Sequence, residues 1–130
     1  MPIEADTKKN SVLVIEDNTL VLFAIKNVLN NLGYEVTTVT EGKAALQVLQ
    51  SQSFDWVLLD IGLPDLEGTE VVRIYRQWEL ENKKPHLPIF VLTAHEDEKI
   101  KEKCQEIDID YILKKPFTEN DILMIKKYIK

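Results

Sequence analysis

Residues 56–68 read WVLLDIGLPDLEG, and this stretch decides the fold. Its first four residues form a continuous apolar run, which is typical of a parallel strand covered on both faces. Asp60 ends the run, and Gly62 and Pro64 shape a tight loop after it. A carboxylate in this place lies at the carboxyl edge of a sheet, where open α/β folds bind ligands. From this stretch alone, the alternative is that Asp60 only starts a turn.

The composition is that of one acidic globular domain, with 130 residues and a net charge of −6. This charge argues against nucleic-acid binding by the domain's own surface, which usually needs a basic patch. The single cysteine, Cys104, allows no internal disulfide. Because the sequence also shows neither a signal peptide nor an apolar run of membrane length, we expect a cytoplasmic domain without membrane contact.

Strand and helix patterns alternate along the chain. Short apolar runs rich in β-branched residues predict four strands besides the central one, at residues 11–15, 34–39, 89–93 and 111–113. Apolar spacings of three and four predict five helices: one between an Asn18 cap and Gly33, then residues 44–51, 69–80 and 97–107, and one opened by Thr118 with Asp121. We expect residues 1–10 to be a flexible N-terminal arm and residues 11–130 to be the domain.

Alternation over such short connections predicts a flavodoxin-like (βα)5 doubly wound sandwich, with a five-stranded parallel sheet in the order 2-1-3-4-5. In this order the direction of winding reverses between the first and third strands. Glu16 and Asp17 follow the first strand, and Asp60 ends the third. The sequence therefore predicts three carboxylates in one crevice.

Three neighbouring carboxylates repel one another, so they stay ionised only beside cations. Oxygen ligands without His or Cys favour a hard divalent ion, and Mg²⁺ is the common one. The carbonyl of Gly62 offers one more oxygen for such an ion. We therefore expect a Mg²⁺ site in the crevice.

Two further strand ends bring other groups to the same edge: Thr93 offers a hydroxyl, and Lys114 and Lys115 offer ammonium groups. A carboxylate surrounded by Mg²⁺, a hydroxyl and an ammonium suits phosphoryl transfer, with Asp60 as a nucleophile that forms an acyl phosphate. Each group also has a plain structural interpretation, as a helix-end charge, a β-branched strand residue or a solvated lysine. Their coincidence at one edge favours the site.

The chain resembles the receiver domains of two-component response regulators from Val12 to Ile129. The matching residues are Glu16-Asp17-Asn18, the run from Asp60 to Gly68, Thr93-Ala94 and Lys115-Pro116-Phe117.

The resemblance implies a role for each matching residue. Asp60 would be the phosphoacceptor, Thr93 the switch hydroxyl, and Lys115 the partner of the phosphoryl group. Glu16, Asp17 and the Gly62 carbonyl, with Asp60, would serve Mg²⁺. Lys115 is preferred to Lys114 because the family lysine directly precedes a proline, typically joined by a cis peptide bond.

Two positions depart from the family pattern. Ile112 stands where the family often has Tyr or Phe, and Tyr111, one residue earlier, should face the other way. Asp108 replaces the usual Gly before the fifth strand, which puts the shape of that turn in doubt. The Glu16-Asp17-Asn18 motif and the aliphatic Ile112 are similar to receivers attached to hybrid histidine kinases.

The resemblance implies a phosphorelay module that switches the surface of its fourth helix, fifth strand and fifth helix. Its partner would be a histidine kinase or histidine phosphotransfer protein. We expect this partner to dock on the first helix, where Leu20, Phe23 and Asn27 lie off the main apolar stripe and near the site. Neither His86 nor His95 lies on a helix that suits a phosphate donor, so the phosphate would come from another chain or domain. The domain alone would catalyse only its own phosphorylation and dephosphorylation, whereas a hybrid parent chain would be a histidine kinase. The alternatives are a Mg²⁺-dependent phosphohydrolase and an unphosphorylated pseudo-receiver that acts as a binding module. The oligomeric state stays open.

Overall fold

The computed structural model describes residues 10–63, 65–93 and 98–129. Within these ranges strands and helices alternate from the first element to the last. The strands are β1 Asn10–Ile15, β2 Tyr34–Val39, β3 Trp56–Asp60, β4 Ile89–Thr93 and β5 Tyr111–Lys114. The helices are α1 Thr19–Asn31, α2 Gly42–Ser51, α3 Gly68–Glu81, α4 Glu98–Glu106 and α5 Glu119–Ile129.

The five strands form one parallel sheet in the order β2-β1-β3-β4-β5, which confirms the predicted fold and strand order. Ile15 pairs with Leu59, so Glu16 follows β1 beside the point where β3 reaches Asp60. Thr93 ends β4 directly after Leu92, the partner of Asp60. The register therefore brings the ends of β1, β3 and β4 to the same edge of the sheet.

Side chains of the central strands alternate between two separate cores, because neighbouring residues in a strand point to opposite faces. Leu13 and Leu59 pack with apolar residues of α2 and α3 on one face. Val12 and Leu58 pack with residues of α1 and α5 on the other. All four are at most 1% exposed, and full burial of such a side chain stabilises the fold by about 1.5–3 kcal/mol. Because helices pack on both faces, the sheet is held in place, and so is the carboxyl edge that carries the site.

The helix signals around α1 are confirmed. The side chain of Asn18 accepts hydrogen bonds from the amides of Leu20 and Val21, at 3.0 and 3.1 Å. Gly33 has a φ of +92°, in the left-handed region that the predicted end of the helix requires. Leu32, the apolar residue before Gly33, is 40% exposed.

Three predicted boundaries shift. Asn10 begins β1, whereas the sequence placed it in the arm, and residues 1–9 lie outside the described residues. Gly42, two residues before the predicted start at residue 44, is the first residue of α2. Lys114 lies one residue beyond the strand predicted at 111–113 but completes β5, because it pairs with Thr93 across the ladder. The predictions that involve Pro64, Ala94 and His95 also lie outside the described residues.

Among the described helices, none combines the length and the apolar composition that a bilayer crossing needs.

A polar network closes the opposite edge of the sheet, at the start of β4 and β5. Asp110 is its centre, with a side chain only 4% exposed. Its carboxylate accepts hydrogen bonds from the Ile89 amide at 2.7 Å and the Tyr128 hydroxyl at 2.8 Å. It also contacts Arg76 at 3.2 Å and the ring of His86 at 2.8 Å. Burial raises the pKa of Asp110, but these hydrogen bonds and the charge of His86 outweigh it and hold the pKa below its ordinary value of 3.8.

We expect Asp110→Asn to lower the free energy of unfolding at neutral pH by about 2 kcal/mol, because hydrogen bonds to a buried ionised group are lost. A carboxyl group whose pKa is lowered by folding stabilises the protein above its unfolded-state pKa, and this contribution disappears as the pH falls through the folded-state pKa. The difference between the variant and the native chain should therefore shrink in denaturant titrations below pH 3.8.

Asp108→Asn is the matched control. Its carboxylate is 66% exposed and lies 3.5 Å from His86. The change should therefore lower the free energy of unfolding by less than about 1 kcal/mol. A loss as large as that of Asp110→Asn, or a difference that does not change with pH, would contradict the assignment.

Candidate functional site

Three carboxylates meet at the carboxyl edge of the sheet, as the sequence predicts. Glu16 and Asp17 follow β1, and Asp60 is the last residue of β3. One oxygen from each lies within 4.8 Å of the others. Glu16 and Asp60 are buried, whereas Asp17 is exposed. The cluster is therefore exposed to solvent at Asp17.

The lysine that reaches the cluster is Lys115. Its Nζ lies 3.1 Å from Oδ1 of Asp60 and 3.7 Å from Oε1 of Glu16. The Lys115 amide donates to the carbonyl of Thr93 at 2.9 Å, and the bond to Pro116 is cis. Lys114 is an exposed strand residue that precedes it. Neighbours in an extended chain point in opposite directions, which explains why Lys115 is the one directed to the crevice.

The electrostatics of the cluster follow from burial and from neighbouring charges. The pKa of Glu16 is raised to about 7: burial raises it most, the amide hydrogen bond from Asn18 lowers it, and the charge of Asp60 raises it. Burial lowers the pKa of Lys115, but its hydrogen bond to Asp60 and the charges of Asp60 and Glu16 raise it more, so it stands above the ordinary value. The Lys115 side chain is thus cationic.

The residues of the cluster fit a divalent cation. Oε1 of Glu16 is buried and has no hydrogen-bond partner in the described part of the chain. The other oxygen, Oε2, accepts the Asn18 amide at 3.1 Å, which fixes the carboxylate. The Lys115 ammonium, at 3.7 Å, is too far away to donate a hydrogen bond to this oxygen. A buried carboxylate oxygen that accepts no hydrogen bond, beside two other carboxylates, is costly unless a further cation approaches it. Three oxygen donors without nitrogen or sulfur suit Mg²⁺.

The loop after β3 is held close to Asp60. The Gly62 amide donates to Oδ1 of Asp60 at 3.3 Å, and the Gly68 amide donates to the carbonyl of Ile61 at 3.0 Å. A Cβ atom on Gly68 would lie 2.9 Å from the Asp60 carbonyl oxygen and from Cα of Ile61. Glycine is therefore required at position 68 by close backbone approach, whereas a Cβ on Gly62 would contact nothing.

The structure also locates Thr93 and the two positions that depart from the family pattern, Ile112 and Asp108. Thr93 is buried at the end of β4. Ile112 is partly buried, and Tyr111 is 48% exposed with its ring 6.5 Å from that of Tyr128. Asp108 does not adopt a positive φ, so this turn does not need the conformational freedom of glycine. Its carbonyl accepts a hydrogen bond from Arg76 at 2.8 Å.

Beside the cluster, α1 carries exposed apolar side chains. Leu20 is 80% and Phe23 64% exposed, and Asn27 is exposed on the same helix. Because Asn18 caps this helix just after Glu16 and Asp17, its first turns adjoin the crevice. A cavity of about 290 Å³ lies at the opposite edge of the sheet, lined by Tyr75 and Trp78 among others, and contains none of the cluster residues.

One residue near the site, Asp65, has a structural role that was not predicted from the sequence. The carboxylate of Asp65 caps helix α2 by accepting the amides of Gly42 and Lys43. The start of α2 shows only that its own cap is missing, because Glu41 occupies the cap position and its side chain accepts no hydrogen bond from the helix amides. Nothing local links this helix to a residue more than twenty positions later.

Comparison with known proteins gives a consistent family. The model of the response regulator receiver domain matches residues 12–126. The sensor protein GacS of Pseudomonas syringae pv. syringae is 33% identical over 88% of this chain and 13% of its own length. Hybrid signal transduction histidine kinase I of Dictyostelium discoideum is 36% identical over 81% of this chain and 6% of its own. The chain thus spans about an eighth or less of these two relatives.

A solved structure covers nearly the whole fold. It is the receiver domain of the sensor histidine kinase PA1611 from Pseudomonas aeruginosa PAO1, with a magnesium ion coordinated in its active site cleft. It is 31% identical, the match covers 94% of this chain and 98% of that one, and the TM-score is 0.82.

Proposed function

The chain belongs to the response regulator receiver domain family, and from this membership we propose that it is a phosphoacceptor module of a two-component phosphorelay, with Asp60 as the acceptor. The observation that carries the proposal is the contact of 3.1 Å between the Lys115 ammonium and the Asp60 carboxylate, beside Glu16 and Asp17. A nucleophilic carboxylate, a fixed cation and an oxygen cluster for a metal are the parts that phosphoryl transfer needs.

In the proposed step an oxygen of the Asp60 carboxylate attacks the phosphorus of a phosphohistidine or a small phosphodonor. The bond from phosphorus to the donor atom breaks, its electron pair stays on the donor, and an acyl phosphate forms. Lys115 neutralises charge on the phosphoryl oxygens, and the Thr93 hydroxyl offers a hydrogen bond to one of them.

Glu16, Asp17, Asp60 and the carbonyl of Gly62 would hold Mg²⁺. The support in this chain is the oxygen-only donor set and the buried Glu16 oxygen that accepts no hydrogen bond from the described residues. When bound, the ion neutralises charge on the phosphoryl oxygens and permits a second anion to approach the carboxylates.

The output is a change in the surface of α4, β5 and α5. A phosphoryl group adds roughly −1.5 to −2 charge and three acceptor oxygens. It would compete with Asp60 for the ammonium of Lys115 and would draw Thr93 towards it, and both residues adjoin β5. The exposed Tyr111 lies on this strand and contacts Tyr128 of α5, so a shift of β5 reaches the surface.

The upstream partner would be a histidine kinase or a histidine phosphotransfer protein that docks on α1. We expect Phe23→Glu to slow transfer from such a phosphorylated histidine partner by about tenfold or more, because an exposed aromatic anchor becomes a charge. Labelling by a small phosphodonor should not change, because it needs no docking surface. Both rates are followed by intact-mass measurement.

Leu80→Glu is the matched control, because Leu80 is 76% exposed but lies at the far end of α3. It should change neither rate. If Phe23→Glu slows both reactions alike, or slows neither, α1 is not the docking surface.

The alternatives predict different stoichiometry. A phosphohydrolase would turn over many molecules of a small phosphate ester, whereas the proposed module carries at most one phosphoryl group per chain. Such hydrolases usually place a second Asp two residues after the nucleophile, and Gly62 stands there. A pseudo-receiver would take up no phosphate at all. Measuring phosphate release beside protein-bound phosphate separates the three functions.

A role as the receiver of a larger hybrid kinase, and the kinase activity of such a parent, are proposals that rest on the relatives named above. The cytoplasmic location likewise stays a prediction from the sequence.

A further inference from the structure

The loop that follows the phosphoacceptor is fixed to a helix distant in sequence. Oδ1 of Asp65 accepts the Gly42 amide at 2.7 Å, and Oδ2 accepts the Lys43 amide at 3.1 Å. These are the first amides of α2, which no partner within the helix can satisfy. These two hydrogen bonds lower the pKa of Asp65, so the carboxylate is ionised when it caps the helix.

Packing fixes the same junction. A Cβ atom on Gly42 would lie 2.8 Å from Cβ of Leu66 and 3.0 Å from Cγ2 of Val71. The first residue of α2 therefore lies directly against the residue after Asp65, at a distance that only glycine permits. A hydrogen-bonded contact and a packing contact on adjacent residues hold the loop in one place relative to α2.

The other side of the loop is tied to the acceptor. The Gly62 amide contacts the Asp60 carboxylate, and Gly68 packs against the Asp60 carbonyl with its own amide bonded to Ile61. Only two residues separate Gly62 from Asp65 in the sequence, and Gly68 packs against the Asp60 backbone at the other end of the loop. Loss of the anchor at Asp65 should therefore loosen the contact of Gly62 with Asp60.

We propose that Asp65 is a positioning residue of the phosphoacceptor site, which holds the Gly62 backbone against Asp60 by anchoring the loop to the N-terminus of α2. This inference rests on the proposed function. Asp65 does not belong to the carboxylate cluster, and its partners are the two amides of α2. Its effect on Mg²⁺ binding and on phosphorylation runs through the loop.

The test compares Asp65→Ala and Asp65→Asn with Asp55→Ala. Asp55 is a matched control, because its carboxylate accepts the Ser11 amide at 2.7 Å at the opposite edge of the sheet. Three quantities are measured for each protein: hydrogen exchange of the Gly62 amide by NMR, the Mg²⁺ dissociation constant by NMR titration, and the rate of labelling by a small phosphodonor.

Asp65→Ala should accelerate Gly62 exchange and weaken Mg²⁺ binding, each by about fivefold, the factor that corresponds to the loss of a helix cap. Labelling at limiting Mg²⁺ should slow accordingly and recover when Mg²⁺ is raised. Asp65→Asn should lie between this variant and the native protein, because its amide oxygen keeps one acceptor, and it also serves if the alanine variant does not fold. Asp55→Ala should lower the melting temperature and leave the other quantities unchanged.

Native Gly62 exchange and native Mg²⁺ affinity in both Asp65 variants would overturn the inference and leave Asp65 as a helix cap only. The failure of the proposed function looks different, because the native protein itself would then take no phosphate. Gly62 exchange would still report on the anchor in that case.

Discussion

Replacing Asp60 by asparagine should abolish labelling by a small phosphodonor at every Mg²⁺ concentration. The carboxamide nitrogen and oxygen are poor nucleophiles, and the variant retains the size of the native side chain, so the buried end of β3 keeps its packing. The hydrogen bond from the Gly62 amide can still be accepted by the amide oxygen. The expected result is no added phosphoryl group in the intact mass of a folded protein.

Asp17→Asn provides the contrast. Asp17 is an exposed member of the cluster and not the acceptor, so its loss should raise the Mg²⁺ concentration that labelling requires and should be rescued by more Mg²⁺. Undiminished labelling of Asp60→Asn would show that another residue accepts the phosphate. Loss of labelling in both variants without rescue would show that the two carboxylates do not have separate roles.

The second large effect is expected at Lys115. Lys115→Ala removes the ammonium that lies 3.1 Å from Asp60, and with it a charge-assisted hydrogen bond worth about 1.5–3 kcal/mol. The conformational response is measured as the change in NMR shifts of α4, β5 and α5 at equal labelled fraction. We expect its coupling to phosphorylation to weaken at least tenfold, which corresponds to a free energy of about 1.4 kcal/mol.

Lys114→Ala removes the same charge from the preceding, exposed position of β5 and should keep most of the response. The two variants thus remove the same charge from neighbouring positions that point in opposite directions at the end of β5. Equal losses of response would contradict the role of Lys115, because they would point to net charge and not to a contact with Asp60.

The fold could be predicted because its signals are local. Buried parallel strands give uninterrupted apolar runs, such as the one that ends at Asp60, and helices give a period that starts and stops at residues such as Asn18 and Gly33. The strand order follows from short right-handed crossovers. Boundaries that depend on a partner strand were harder: Lys114 belongs to β5 only because β4 extends to Thr93 beside it.

The candidate site was predictable for the same reason, since strand ends at one sheet edge must meet. The sequence predicted that Glu16, Asp17, Asp60 and Lys115 meet at the carboxyl edge, and the structure places them at that edge. Their chemical roles stay predictions until the variants are measured.

Contacts between distant positions could not be predicted. Asp65 caps a helix that starts 23 residues earlier, and Asp110 joins residues of α3, β4 and α5 at the opposite edge. A single acidic residue in a loop has the same local signal whether it is solvated or bonded. Only the register of the whole sheet brings its partners within reach.

The central claim is that Asp60 takes up one phosphoryl group with the help of Mg²⁺. The most direct measurement is the intact mass of the native protein after incubation with a small phosphodonor, with Mg²⁺ and with a chelator, followed by peptide mapping of the modified residue. The account predicts one added phosphoryl group, only with Mg²⁺, on the peptide that contains Asp60. Equal labelling in the presence of the chelator, or a phosphoryl group on any other residue, would contradict it.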